Sequence, residues 1–190
     1  MKSPAELRVA ARHAAFQAIY ALDSDEVELE QAIAYALEQE PFPEVLTQYI
    51  RTLVEATLTE RERLDAMIAP LMAQGWKFER IAKVDRAMLR MAAAEFEFIP
   101  QTPPKVTINE SVELAKLFGD QNSPRFINGV LGKLLPLSSK AHFKHEDFDP
   151  MLAEPMVKPE PREDEEEIVQ AGSELHEELS NSPGWTIRTT

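Results

Sequence analysis

Two neighbouring stretches decide the fold class: Thr107-Ile108-Asn109-Glu110-Ser111-Val112-Glu113-Leu114-Ala115-Lys116-Leu117-Phe118-Gly119 and, after a short polar gap, Ser123-Pro124-Arg125-Phe126-Ile127-Asn128-Gly129-Val130-Leu131. In the first, Thr107 stands three residues ahead of Glu110, the spacing of a capping box. Val112, Leu114, Ala115 and Phe118 then supply an apolar face, and Gly119 closes the helix. In the second, Ser123-Pro124 opens a helix with proline inside its first turn, and Phe126, Ile127, Val130, Leu131 and Leu134 recur at helical spacing.

Working outward, the same grammar repeats. Val84 to Phe98 reads as a strong helix carrying Met88, Leu89, Met91, Ala92 and Phe96, stopped by the Pro100 to Pro104 stretch. Thr59-Glu60-Arg61-Glu62 reads as another capping box opening Leu64, Met67, Ile68 and Leu71, with a bend at Pro70 and an end at Gly75. A helix from Glu44 buries Leu46, Tyr49, Ile50, Leu53, Val54 and Leu58. One after Ser24 carries Val27, Ile33, Ala34 and Leu37 and is broken by Pro41 and Pro43. At the N-terminus Ser3-Pro4-Ala5-Glu6 is a capping box with proline at the first helical position. Its helix runs to about Leu22 with Leu7, Ala11, Ala14, Ala18 and Leu22 in one stripe, and the alanines predict close approach of a neighbour. Strand-like alternation of useful length is missing. The expected fold is all-α, a compact bundle of about seven helices over residues 1–136.

After Pro136 the character changes. Prolines recur and Glu163-Asp164-Glu165-Glu166-Glu167 is an acidic run, so residues 137–190 are expected to be a disordered acidic tail that cannot bury enough apolar surface to offset ordering entropy. Ile168, Leu175 and Leu179 could form a short transient helix there, and Trp185 is unusual for a purely solvating segment. The formal net charge of −13 argues against nucleic-acid binding at first sight, but most of the excess falls in this tail. The body is only mildly acidic, which leaves room for a local basic face.

Several chemistries drop out. With no cysteine there is no disulfide, thiolate nucleophile or cysteine-ligated metal. The polar start Met1-Lys2-Ser3 does not lead into a signal-peptide core, and no apolar run reaches the ~20 residues of a membrane span. A cytoplasmic location without membrane contact is expected. His142, His145 and Glu146 are loosely metal-like, but an exposed connector is the expected reading. No metal, cofactor or catalytic group is expected, since no phosphate loop or nucleophile elbow occurs. Gly129 and Gly132 form a GxxG string inside a helix, read as permitting close helix packing.

Two features point toward RNA. Arg8 and Arg12 lie one turn apart on the first helix, behind Lys2, and arginine can bridge phosphates. Asn122, Arg125 and Phe126 lie at the start of the last helix, where free N–H groups and the helix dipole suit a phosphate and an aromatic could stack on an unpaired base. Spacing alone favours a solvated helix face for the first and a core position for Phe126.

Taken together, Ala11-Arg12, Gln17-Ala18-Ile19-Tyr20, Val84-Asp85-Arg86-Ala87-Met88-Leu89-Arg90, Pro104-Lys105-Val106, the Ile108–Lys116 string, Phe118-Gly119 and the Ser123–Leu131 string resemble the NusB family of transcription antitermination factors, in order, across roughly residues 4–135. The resemblance implies two helical sub-bundles and no catalysis. It implies pairing with NusE, a small-subunit ribosomal protein, recognition of boxA RNA in nascent ribosomal RNA transcripts, and association with the RNA polymerase elongation complex and other Nus factors. By position it implies RNA contact for Lys2, Arg8, Arg12, Asn122, Arg125 and Phe126, and NusE contact for Tyr20 and Asp85. Asn122 stands where relatives often carry an acid, and Glu6 and Val9 interrupt an arginine cluster that relatives often have.

Two other readings compete. One is a helical interaction scaffold that lost RNA binding, favoured by the acidic balance. The other is the RNA-binding domain of an rRNA methyltransferase, which would require a Rossmann-like domain with a glycine-rich cofactor loop. The apolar faces allow a monomer or a homodimer. For the tail, a solubilising extension is the plain reading, and autoinhibition by Glu163–Glu167 lying across Lys2, Arg8, Arg12 and Arg125 is the sharper one. Under autoinhibition, removing the tail tightens RNA binding in an anisotropy titration, most at low salt; equal low-salt affinities would exclude it.

Overall fold

A computed structural model describes residues 2–23, 27–38, 40–73 and 77–144. Seven α-helices follow one another: α1 Pro4–Ala21, α2 Leu29–Glu38, α3 Glu44–Thr59, α4 Arg61–Ile68, α5 Lys83–Phe98, α6 Pro104–Phe118 and α7 Ser123–Leu134. Short 3-10 turns occupy Ala69–Leu71, Phe78–Arg80 and Leu135–Leu137. Among the described residues there is no strand, and no helix is long and apolar enough to cross a membrane. Helices α1, α2 and α3 pack on one another, as do α4, α5, α6 and α7, and α5 also packs on α1 and α3.

The central element is α5. Every residue from Ala87 to Phe96 is buried, so this helix is enclosed on all sides. Its Ala92-Ala93-Ala94 run lets neighbouring backbones come close. On α1, Ala11, Ala14, Ala15 and Ala18 are buried together, as the alanine stripe predicts. The N-terminal capping box forms as expected. Ser3 Oγ accepts from the Glu6 N–H at 3.3 Å, and the Glu6 carboxylate accepts from the Ser3 N–H at 2.6 Å.

Three local expectations are corrected. Thr59 is not a cap: it is the last residue of α3, its hydroxyl donates back to the Glu55 carbonyl at 2.8 Å, and the chain turns at Glu60 straight into α4. Thr107 is not a cap either. The Pro103-Pro104 pair starts α6 four residues earlier, because proline's fixed φ suits the first helical position and its missing N–H is not needed there. Thr107 is consequently fully buried inside the helix. Gly129 and Gly132 do not permit close packing, since a Cβ built at either meets nothing within 4 Å. The bend at Pro70 appears as the 3-10 turn Ala69–Leu71 that ends α4.

The tail boundary also differs from the sequence reading. Residues 137–144 fold against the body, with Ser138 and Lys140 buried. The expectations placed on Ser24, Gly75, His145 and everything beyond fall outside the described residues. A truncation that tests tail autoinhibition must therefore cut after Lys144.

Arg12 was expected on an RNA-facing surface and is instead a core residue, 2% exposed. Its Nη2 donates to Glu95 Oε1 at 2.9 Å, Tyr49 Oη donates to the same oxygen at 2.7 Å, and Glu110 lies 4.0 Å away. Burial works to raise the Glu95 carboxyl, but the Arg12 charge and hydrogen bonds from Arg12 and Tyr49 hold it below the ordinary carboxylate value. Burial likewise opposes the Arg12 charge and is outweighed by Glu95, so the guanidinium stays firmly protonated. Arg8, one turn earlier, is buried as well, at 6% exposure.

Two outcomes follow for stability. Arg12→Ala leaves Glu95 buried without its cation and should cost about 3–5 kcal/mol in urea denaturation. Folded Glu95 releases its proton more readily than the unfolded chain does. Its contribution is therefore present above the ordinary carboxylate pKa and lost as pH falls through the lower folded value, so the gap between wild type and Arg12→Ala should shrink between pH ~7 and ~3. At the α6–α7 corner, a Cβ on Gly119 would lie 2.4 Å from Ser123 Cβ and 2.7 Å from the Ala115 carbonyl oxygen. Gly119→Ala should destabilise by about 1–3 kcal/mol through overpacking, read by the same denaturation.

Candidate nucleic-acid and partner interface

With Arg8 and Arg12 turned inward, the basic N-terminal segment reduces to Lys2. It is exposed and pairs with Glu40, just beyond the end of α2. The sequence pattern placed both arginines correctly on one face of α1, but that face is the one covered by α3, α5 and α6.

The start of α7 keeps more of its expected character. Asn122 is the N-cap, and Asn122 and Arg125 are exposed. Phe126 is half-buried, with its ring packed against the core, so it offers a partial face rather than a free stacking platform. The expected cap is corrected. Asp120 Oδ1 accepts from the Asn122 N–H at 2.7 Å and the Ser123 N–H at 3.1 Å, and Ser123 Oγ accepts from the Asp120 N–H at 2.9 Å. A carboxylate thus already occupies the helix N-terminus where a phosphate was expected. Phosphate attraction at this corner rests on the Arg125 side chain.

Asp85, expected to face a partner, is buried at 6% exposure in the first turn of α5. Burial raises its carboxyl above the ordinary value, neighbouring Ser123 works against that rise, and the Asp120 charge adds to it. Asp85 thus lies between the start of α5 and the start of α7. Tyr20 does reach the surface, at 47% exposure. It stands beside Phe16, with ring centroids 6.2 Å apart, and Phe16 stacks on Phe118 at 5.3 Å. Phe16, Tyr20, Phe118, Ala82, Lys83 and Val84 line an open apolar groove with one lysine at its edge.

Sequence reasoning missed two parts of this arrangement. Phe16 and Phe118 look like ordinary core residues, and only the packing of α1 against the end of α6 leaves their edges in a groove. Asp23 carried no signal, yet it accepts from Arg61 at 3.2 Å, Arg86 at 3.1 Å and Arg90 at 3.1 Å. Arg90 also holds Asp65 in a two-point contact at 2.6 and 2.7 Å. Burial works to raise the Asp23 carboxyl, but bonds from Arg86 and the charges of Arg86, Arg90 and Arg61 lower it overall. The lattice fixes the end of α1, three residues past Tyr20.

Residues 9–136 match the NusB family. The chain is 36% identical over 126 residues to transcription antitermination protein NusB of Listeria monocytogenes serotype 4a, covering 66% of this chain and 94% of the relative. It is 39% identical over 127 residues to the Bacillus subtilis (strain 168) protein of the same name, covering 67% and 93%. Among solved structures, T. maritima NusB superposes with a TM-score of 0.59 at 28% identity, over 77% of this chain and 96% of that one. The fold also matches a chain from a complex of antitermination factors NusB and NusE with double-stranded RNA, at a TM-score of 0.62 and 24% identity, over 70% of this chain and 98% of that one. A sequence match that spans all seven helices, together with the same helical architecture, places this chain in the NusB family.

Proposed function

We propose that this chain is a cytoplasmic transcription antitermination factor that binds boxA-type RNA in nascent ribosomal RNA transcripts together with NusE and performs no catalysis. The observation that carries this reading is the family match through residues 9–136 to relatives named as antitermination proteins. Two surfaces support a division of labour. The α7 corner, with Asn122, Arg125 and the partly exposed Phe126, serves as the RNA face, and Lys2 at the start of α1 is a further RNA contact. The Tyr20 groove serves as the NusE face, with Phe16, Phe118 and Lys83 added to the assignment. Asp85 acts behind that face by holding the two helix starts together rather than by touching the partner.

Basic charge on the α1 face is thin on this reading, because Arg12 and Arg8 are buried. Intrinsic RNA affinity is therefore low, and the partner supplies much of the binding. The scaffold alternative draws its support from the same observation.

The test is a fluorescence anisotropy titration with boxA-like single-stranded RNA, with and without NusE. Arg125→Ala should weaken RNA binding in both conditions and reduce the salt slope by about 1. Tyr20→Ala should leave binding without NusE unchanged and weaken the NusE-dependent gain roughly tenfold or more. Absence of sequence-selective binding in either condition would favour the scaffold reading.

A further inference from the structure

The last turn of α5 carries no basic residue, and no glycine follows it to close the helix. Its terminal carbonyls, and those of the corner leading to α6, need partners from elsewhere. They find them in residues 138–143, which lie beyond the family-matched region. Ser139 Oγ donates to the Phe96 carbonyl at 2.7 Å, and the Ser139 N–H donates to Glu97 Oε1 at 2.8 Å. Lys140 Nζ donates to the carbonyls of Ile99, Pro100 and Thr102 at 2.8, 2.5 and 2.7 Å. Lys140 is only 4% exposed, and its Nζ sits 4.7 Å from the centroid of the Phe143 ring. Glu97 is also held from α4 by Arg63 Nη2 at 3.0 Å.

Three main-chain oxygens converging on one point, at the negative end of a helix dipole and beside an aromatic ring, form a site for a small monovalent cation. A lysine ammonium fills it here with its three N–H donors. We infer that residues 138–143 are a latch, in which Lys140 serves as a captive monovalent cation in a carbonyl cage at the α5–α6 corner. The cage recognises ammonium-class ligands, and the chain supplies its own. The latch caps α5 from about forty residues downstream. Because Glu95 lies in the turn just before the capped carbonyls, the latch steadies the same end of α5 that holds Arg12.

The experiment uses the full chain. Lys140→Met keeps the apolar stem and removes the charge. It should lower Tm by roughly 4–10 °C and speed amide hydrogen exchange at Ile99 and Thr102 about tenfold or more, with Val54 in α3 unaffected. Ser139→Ala should give a smaller change at the same two amides, which keeps the test alive if the methionine variant does not fold. In Lys140→Ala, methylammonium chloride should raise Tm, whereas tetramethylammonium chloride, which has no N–H donor, should not; wild type should respond to neither. Wild-type exchange at Ile99 and Thr102 in Lys140→Met and Ser139→Ala would overturn the latch. Faster exchange without methylammonium rescue would overturn the captive-cation assignment.

Discussion

One buried carboxylate holds the bundle together. Glu95, on the enclosed helix α5, receives Arg12 from α1 and Tyr49 from α3, and Glu110 of α6 lies 4.0 Å from the same arginine. Four helices therefore converge on one ion pair. Moving an ion pair out of water is costly, and Tyr49 offsets part of that cost by donating a second hydrogen bond to the oxygen that Arg12 holds. An apolar core could be packed in several registers. A charge that must meet its arginine and its phenol at once fixes how α1 and α3 are rotated around α5.

Asp23 does a related job at the far end of α1. Its contacts with Arg61, Arg86 and Arg90 bring in α4 and the first half of α5. Helix α1 is thus fastened at two points about three turns apart, with Tyr20 between them. The Tyr20 groove is consequently built on a rigid element. The α7 corner is fixed by Asp120 and Ser123, which cap each other's backbone N–H groups at the helix start. Exposed Arg125 projects from that corner into solvent, so its position is set by the packing beneath it rather than by a loop.

The distribution of charge explains how an acidic protein can belong to an RNA-binding family. Several arginines are consumed internally: Arg12 by Glu95, and Arg86 and Arg90 by Asp23 and Asp65. Lys140 is consumed in the carbonyl cage. Counting basic residues overstates what can reach a phosphate. The basic residues that do reach the surface, Lys83, Lys105 and Arg125 among them, are the ones available to a phosphate.

The sequence by itself determined the number, order and type of the helices, because apolar spacing and proline breaks act locally. It marked the Ser3 cap and the Gly119 stop for the same reason, and its long motifs identified the family. It did not determine which charged residues face inward. Arg12 and Arg125 are the same residue type, each on an amphipathic helix, and only the arrival of α5 and α6 over one face of α1 makes Arg12 a core residue. Helical periodicity marked α5 but not how far it is enclosed: Arg90 and Glu95 are polar by type and are buried with the apolar residues around them. Thr107 and Thr59 show the limit at the scale of a single turn, where competing start signals from Pro104 and from the continuation of α3 won over good capping spacing. The Lys140 cage joins groups about forty residues apart. Local pattern carries no information about such a contact, and the tertiary fold alone decides it.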